Sequence, residues 1–189
     1  TNNRSIKTGI TNGTVEYRDV SFKYNDDADS WLFEDFNLEL EAGGKYAIVG
    51  QSGRGKTTLM KMLAGLYTPN KGAIYIDDND IKSMDLNYLR ENVNYVNQRT
   101  NLFNESVMYN MLYGNQDTTE EHVIALLEKY DLLTVFDELP DGLTSNAGVQ
   151  GGNLSGGMQR VTMLVRGILK PCKIIILDEP TTGLDKNTA

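Results

Sequence analysis

The residues best suited to carry out chemistry begin with a glycine-rich segment, GQSGRGKTT, at residues 50–58. It fits the spacing G-x-x-x-x-G-K-[ST], in which the glycines let backbone N–H groups turn inward around phosphate oxygens. In such a loop Lys56 contacts the β- and γ-phosphates, and the Thr57 hydroxyl ligates Mg²⁺. The helix that follows adds the positive end of its dipole. The segment therefore predicts a site for a nucleoside triphosphate.

A pair of carboxylates, Asp178 and Glu179, follows the apolar run at residues 174–177. A carboxylate at the end of a buried parallel strand lies where open α/β sheets bind ligands. We expect Asp178 to hold Mg²⁺ through water, and Glu179, one step further and less enclosed, to polarise an attacking water. Without the phosphate loop, an acidic strand end facing solvent would be the better interpretation.

A second glycine pair lies in the segment NLSGGMQR, residues 153–160. Ser155, Gly156 and Gly157 open a helical pattern, and a helix N-terminus of this kind binds phosphate. An ordinary N-cap at Ser155 also explains the serine, and the two interpretations are compatible. The chain thus has two predicted phosphate cradles.

Periodicity predicts the elements that position the first cradle. Residues 36–40 alternate between apolar and polar side chains, which is typical of a half-buried antiparallel strand. A short apolar run at 46–49 stops at the glycine loop, and helical spacing starts at Lys56. The loop is therefore expected to join a strand to a helix. Another strand is predicted at 73–76.

The middle of the chain has a different character. Thr118 and Glu121 form a capping-box pattern in front of an amphipathic helix. A glycine-rich loop covers 140–153, a second helix is predicted from about 155 to 169, and 174–177 is typical of a strand buried on both faces. The pattern indicates an α/β core with a mostly helical insertion near residues 100–165.

Composition excludes several classes of protein. The 189 residues carry a net charge of −8, with 40% hydrophobic and 23% charged residues, as in an ordinary soluble domain. A nucleic-acid surface is normally basic, so no nucleic-acid partner is expected. No apolar run reaches the roughly 18 residues of a membrane span. Residues 1–12 have no apolar signal core and are expected to be a solvated tail or linker.

The order of these motifs identifies a family. GQSGRGKTT, the glutamine of YVNQRTNLF, LSGGMQR, ILDEP and TTGLD follow one another along the chain. Together they resemble the ATP-binding cassette (ABC) ATPase domains of transporters, from about Thr14 to the end of the chain. The stretch from Gly72 to Asn115 resembles the exporter branch most.

The resemblance implies the fold and the site residues. The fold would be α/β, a phosphate-loop NTPase core with an N-terminal antiparallel β subdomain and a helical insertion. After the tail at 1–12, the ABC ATPase domain would cover 13–189, with its core at about 13–99 and 166–189 and the helical subdomain at about 100–165. ATP would contact Tyr24, Gly50, Ser52, Gly53, Gly55, Lys56, Thr57, Thr58, Ser155, Gly156, Gly157 and Asp185. Catalysis would use Glu179, Lys56 and Gln98, and Mg²⁺ would be held by Thr57, Gln98 and Asp178.

The resemblance also implies a mechanism. Two such domains, identical or different, would pack head to tail, with each ATP between the phosphate loop of one and the Ser155–Gly157 segment of the other. Dimerisation and hydrolysis would drive an associated transmembrane domain at the cytoplasmic face of a membrane, the fragment itself being soluble. Tyr24 would stack on adenine, the alternative being a strand aromatic in the core. Alternative functions are a soluble ABC ATPase acting on nucleic acid or ribosomes, and an ATP-binding regulatory module with little turnover.

Several positions depart from the family pattern. Met158 stands where a glutamine is usual, and Asn97 where a proline commonly precedes Gln98. Val149 and Gln150 replace a glutamate and an arginine that face the membrane domain in exporters. The family's histidine after the catalytic glutamate has no counterpart before Ala189, because the only histidine is His122. We therefore expect a C-terminally truncated domain with weak or absent hydrolysis of its own.

Overall fold

The computed structural model describes residues 6–25, 30–97, 101–115 and 117–179. These residues divide into two compact units. The first unit runs to Tyr95 and includes Cys172–Ile176, and the second runs from Val96 to Pro171 and resumes at Leu177. Each unit has its own hydrophobic core.

The helices and strands alternate irregularly along the chain. The strands are β1 (Val15–Phe22), β2 (Phe33–Leu40), β3 (Lys71–Ile76), β4 (Asn79–Asp80), β5 (Val93–Val96) and β6 (Ile174–Leu177). The α-helices are α1 (Lys56–Leu63), α2 (Leu86–Asn92), α3 (Val107–Leu112), α4 (Glu120–Lys129) and α5 (Gly156–Leu169). Short 3₁₀ helices cover Ile81–Ser83, Leu133–Phe136, Gly142–Thr144 and Val149–Gly151. In the part of the chain described, no helix is both long and apolar enough to span a bilayer.

An antiparallel sheet forms the frame of the first unit. Its strand order is β2-β1-β3-β4, and Tyr17 of β1 lies opposite Leu38 of β2 and Ile74 of β3. The alternation predicted for residues 36–40 is present, since the apolar positions are half-buried and the polar ones are exposed. The apolar face of α1 contributes to the same core, with Leu59, Met62 and Leu63 buried. The sheet thus supports the helix that follows the phosphate loop.

The turn between β3 and β4 organises the start of the chain. Asp77 and Asp78 both have positive φ, +47° and +63°, as the two central residues of a type I′ hairpin turn require. The Asp77 carboxylate accepts hydrogen bonds from the four consecutive backbone N–H groups of residues 11–14, at 2.7–3.1 Å. Partial desolvation raises the pKa of Asp77, but these hydrogen bonds lower it more, so that it lies below its usual range.

Within the predicted tail or linker at residues 1–12, Ile6 and Ile10 are attached to the first unit, while residues 7–9, 11 and 12 are exposed. Ile6 pairs with Met84 in an isolated bridge, and Ile10 is buried. The Ile10 N–H also donates to the Tyr88 hydroxyl at 2.8 Å. The polar composition of this segment concealed its order, because a carboxylate distant in sequence satisfies its backbone donors.

We predict that Asp77→Asn destabilises the first unit by roughly 1–3 kcal/mol at neutral pH, because it removes the charge from these hydrogen bonds. Since the pKa of Asp77 is lowered by folding, its contribution is complete above the unfolded-state pKa of about 4 and is lost as the pH falls through the folded-state pKa. We therefore expect the free energy of unfolding, measured with denaturant, to fall less between about pH 7 and pH 3 for Asp77→Asn than for the unsubstituted chain.

The matched control for this prediction is Asp78→Asn, in the same turn. The Asp78 side chain is 98% exposed and only approaches Arg18, at 3.8 Å. It should change stability by less than about 0.5 kcal/mol. Equal effects of the two substitutions would show that the Asp77 carboxylate does not anchor residues 11–14.

The second unit is mainly helical. α3 and α5 pack together, and their buried residues include Met111 and Val161. A polar link joins the two helices: Arg166 donates through Nε to the Asn110 carbonyl and through a terminal nitrogen to Asn110 Oδ1, both at 2.6 Å. Burial lowers the pKa of the Arg166 guanidinium, with Tyr113 acting in the opposite direction.

The predicted cap of α4 is wrong by one position. The Thr119 hydroxyl, and not that of Thr118, accepts the hydrogen bond from the His122 N–H. Thr119 also hydrogen-bonds the Glu121 side chain. The capping-box spacing selected Thr118, because Glu121 follows it by three residues, but the helix begins one residue later than that pattern implies. His122 is exposed in the first turn of α4.

Two strand predictions differ from the structure. Residues 46–49 are not paired with any described strand, and Tyr46 and Val49 are 52% and 87% exposed. The Tyr46 hydroxyl instead accepts from the Glu41 N–H at 2.9 Å, so a local turn contact competes with strand pairing. β6 is a strand, but Ile175 and Leu177 are partly exposed, so its apolar run does not reflect burial on both faces.

Candidate nucleotide site

The predicted phosphate loop leads directly into α1. Gly53 and Gly55 have φ values of +78° and +85°, in the left-handed region that favours glycine. Gly55 is the N-cap residue, and a Cβ atom there would lie 2.5 Å from Cζ of Phe33. Both the backbone angle and the space therefore require glycine at this position.

The start of α1 is suited to an anion. Among the described residues, no side chain caps this helix and no acidic residue lies in its first turn. The Lys56 ammonium donates to the carbonyls of Gly50 and Gln51, at 2.7 and 2.9 Å. Ser52 is exposed, Thr57 is partly buried and Thr58 is buried. Phosphate oxygens bound here would compete with the loop carbonyls for the Lys56 charge.

Tyr24 lies in the same unit as the phosphate loop. It is 61% exposed, so the alternative of a strand aromatic inside the core does not hold. Its hydroxyl is hydrogen-bonded to the Thr58 hydroxyl in the first turn of α1. An exposed aromatic ring of this kind offers a face for stacking on a base.

The second predicted cradle begins the longest helix of the second unit. Ser155 is the N-cap of α5, and its hydroxyl accepts from the Met158 N–H at 3.3 Å. Ser155 and Gly156 are exposed, and Gly157 is partly exposed. A Cβ atom added at Gly156 would have no described atom within 4 Å. The N-cap interpretation is therefore correct, and the helix start is also open to a ligand.

The structure explains the methionine that departs from the family pattern. Met158 is 4% exposed and belongs to the core of the second unit. The next side chain, Gln159, donates through Nε2 to the carbonyls of Gly151 and Leu154, at 3.0 and 3.1 Å. Gln159 therefore fixes the loop before α5, while Met158 stabilises the helix by apolar burial.

The two carboxylates after β6 differ in exposure. Asp178 is 7% exposed, and its N–H donates to the Val96 carbonyl at 3.0 Å. Glu179 is exposed and has φ +49°, an unusual angle for a residue other than glycine. No group of three or more His, Cys, Asp or Glu side chains suitable for a metal occurs among the described residues. The enclosed Asp178 and the accessible Glu179 can thus serve different purposes.

The predicted site residues fall into three groups. The first unit contains Tyr24, Gly50, Ser52, Gly53, Gly55, Lys56, Thr57 and Thr58, and the second contains Ser155, Gly156, Gly157, Asp178 and Glu179. Gln98 and Asp185 lie outside the described residues. Sequence reasoning missed Tyr67, whose ring centroid lies 5.8 Å from that of Tyr24. The sequence feature that could have pointed to Tyr67 is its position just after the helix that follows the phosphate loop.

The glycine loop before α1, with Lys56 at the first helical position and a buried aspartate after a strand, defines the class of phosphate-loop NTPases. The chain belongs to the ABC transporter family, because residues 33–182 match the family described as "ABC transporter". The predicted α/β fold class and the predicted family are confirmed.

Individual relatives show the same relationship. The chain is 40% identical over 176 residues to the mitochondrial iron-sulfur clusters transporter atm1 of Neurospora crassa, covering 93% of this chain and 24% of that protein. It is 34% identical over 185 residues to ABC transporter B family member 2 of Dictyostelium discoideum, covering 98% and 13%. A bacterial Atm1-family ABC exporter with ATP bound superimposes with a TM-score of 0.85 at 31% identity, covering 95% of this chain and 31% of that one. The chain thus spans less than a third of each of these proteins.

We predict that Ser155→Ala destabilises the second unit by about 1 kcal/mol, because it removes the hydroxyl that caps α5. Denaturant unfolding followed by circular dichroism measures this loss. Ser155→Asp is the control, since its carboxylate can accept the same hydrogen bond and also interacts favourably with the helix dipole. A loss of equal size in both variants would contradict a capping role for Ser155.

Proposed function

We propose that this chain is the ATP-binding and ATP-hydrolysing motor domain of an ABC membrane exporter. In this proposal two such domains pair head to tail around two Mg-ATP molecules, and their association and separation power transport. The resemblance to exporters implies that the substrate contacts would lie in an associated transmembrane domain.

The observation that carries the proposal is the presence of two helix N-termini with phosphate-binding composition on one chain. The first is the glycine loop before α1, and the second is Ser155–Gly157 before α5. Each helix start has backbone N–H groups that have no partner within the helix. A twofold-symmetric pair needs both halves of its interface on the same chain. In head-to-tail pairing, each ATP would contact the start of α1 in one domain and the start of α5 in the other.

The described residues fit ATP and Mg²⁺. The requirement for glycine at Gly55 and the Lys56 ammonium above the loop suit a polyphosphate, and Tyr24 offers a face to the base. Mg²⁺ is usually held by one or two protein oxygens together with substrate phosphates. Thr57 and Asp178 would supply those oxygens, and the ion when bound would neutralise charge on the phosphates.

The side chains divide the work in this proposal. Lys56 would leave the carbonyls of Gly50 and Gln51 and bind the β- and γ-phosphates. Glu179, which is exposed, would orient and polarise the attacking water. Ser155 and the glycines after it would bind the γ-phosphate of the partner's ATP. Gln98 and Asp185 are proposed to contribute on sequence grounds alone.

We predict that the Glu179→Gln variant shifts from monomer to dimer when Mg-ATP is added. The substitution keeps the side-chain shape but removes the carboxylate proposed to activate water, so ATP would be bound and not consumed. Light scattering measures the mass, and a nucleotide titration on the same sample measures binding. The loss of binding in Lys56→Ala, with binding retained in Lys82→Ala at an exposed lysine, would assign the binding to the phosphate loop.

The outcomes of this experiment separate the alternatives. Tight binding without dimerisation would contradict the head-to-tail mechanism for this chain and favour a regulatory binding module. No binding in any variant would contradict the assignment of the site. Turnover that rises on adding nucleic acid would favour the soluble class of ABC ATPases over an exporter.

We predict that adding Gly156→Asp to Glu179→Gln abolishes ATP-dependent dimerisation while leaving ATP binding by the monomer unchanged. A Cβ atom at this position would have no described atom within 4 Å, and Gly156 is exposed, so we expect the side chain to be accommodated. A negative charge in the first turn of α5 suits the helix dipole. The same charge would repel a partner's phosphates and weaken the dimer by more than about tenfold.

Gly156→Asn, which adds a neutral side chain of the same size and shape as aspartate, is the control for charge. If both variants dimerise as Glu179→Gln alone does, then Gly156 does not face the partner's nucleotide. If both fail to dimerise, the effect is steric, and the proposed contact with phosphate loses its support.

A further inference from the structure

Three aromatic rings meet at the end of β1, where the base of the nucleotide is proposed to bind. Phe22 is buried, and its ring lies 5.2 Å from that of Tyr24 at an interplanar angle of 83°. The Tyr67 ring lies 5.8 Å from Tyr24 at 86° and 5.6 Å from Phe22. Edge-to-face contacts of this kind are the favoured geometry for aromatic pairs. Two rings, Phe22 and Tyr67, therefore contact Tyr24 in the edge-to-face arrangement.

A hydrogen bond also fixes the hydroxyl end of the Tyr24 side chain. Its hydroxyl is hydrogen-bonded to that of Thr58, which is 3% exposed. Tyr24 remains 61% exposed, so these contacts fix the ring without covering it. Tyr67 is only 36% exposed, which suits a supporting position more than direct contact with a ligand.

Two of the three residues that contact Tyr24, Thr58 and Tyr67, belong to α1 or to the turn that ends it. Thr58 lies in the first turn of the helix, and Tyr67 follows its last turn. The N–H groups of Leu66 and Tyr67 donate to the Lys61 carbonyl, at 2.9 and 3.4 Å, which ties Tyr67 to the helix. The helix that presents the phosphate loop thus also sets the position of the aromatic ring.

We propose that Tyr67 is a positioning residue for the base of the nucleotide. It holds the Tyr24 ring in the orientation needed for stacking, so base recognition depends on a side chain that does not itself bind the base. This inference rests on the proposed function, in which Tyr24 stacks on adenine. A ring already held in place loses little conformational freedom when the base binds, and such preorganisation increases affinity.

The test compares Mg-ATP with Mg-tripolyphosphate, which has the phosphates and lacks the base. Tyr67→Leu removes the ring, and we expect it to weaken ATP binding about three- to tenfold while leaving tripolyphosphate binding unchanged. Tyr67→Phe keeps the ring and should bind both ligands as the unsubstituted chain does. Titration calorimetry on the intact chain measures both affinities, and thermal unfolding checks each variant.

Tyr130→Leu is the matched control, because Tyr130 is an exposed tyrosine of the second unit. A similar loss of ATP affinity there, or equal losses for ATP and tripolyphosphate in Tyr67→Leu, would overturn the proposal. If Tyr67→Leu does not fold, Tyr67→Met replaces the ring with a longer, flexible apolar side chain, and its ATP-to-tripolyphosphate affinity ratio then decides the question. An unchanged ratio overturns the proposal, and a reduced ratio supports it.

Tyr24→Ala separates this inference from the function on which it rests. If Tyr24→Ala weakens ATP binding and Tyr67→Leu does not, only the role of Tyr67 is wrong. If Tyr24→Ala has no effect on ATP binding, the stacking role of Tyr24 is wrong, and the inference is wrong with it.

Discussion

The candidate site of the first unit depends on the packing of α1 against the antiparallel sheet. The helix has only eight residues, too few to be stable alone in water. Leu59, Met62 and Leu63 are buried, and the Tyr17 hydroxyl of β1 donates to the Leu59 carbonyl at 3.0 Å. Because the sheet fixes the position of the helix, it also fixes the end of the glycine loop and the direction of the backbone N–H groups there. Sheet packing is thus a condition for the proposed phosphate binding.

In the second unit, the helix that follows the glycine pair is stabilised by its greater length and by a polar link to a neighbouring helix. The 14 residues of α5 bury a continuous apolar face, and Arg166 joins α5 to α3 through Asn110. Asn110 also accepts from the Phe103 N–H at 2.8 Å, so one buried amide organises the segment before α3 as well. Truncating Arg166 would remove both of its hydrogen bonds to the buried Asn110, whose Oδ1 would keep only the Phe103 N–H as donor.

Sequence patterns were sufficient wherever the structure obeys a local rule. The alternation at residues 36–40, the start of α1 after the glycines and the N-cap at Ser155 all follow from side-chain spacing or capping chemistry. The predictions failed where a distant or competing contact decides. Asp77 orders residues 11–14 from more than 60 positions away, which no local pattern records. Tyr46 takes up a turn contact, and the apolar run that it begins is not paired as a strand.

The candidate site shows the same division. Each of the phosphate loop, Ser155–Gly157 and the carboxylate pair is a short continuous segment, so each could be identified from the sequence. The contact between Tyr24 and Tyr67 joins residues 43 positions apart and can be identified only from the structure.

The attachment of both Thr58 and Tyr67 to one short helix has a consequence for how this domain can vary. Each inserted or deleted residue would rotate the end of α1 by about 100° relative to its start. Such a change would separate the aromatic ring from its support while leaving the glycine loop intact, so α1 can tolerate exchange of side chains but not a change of length.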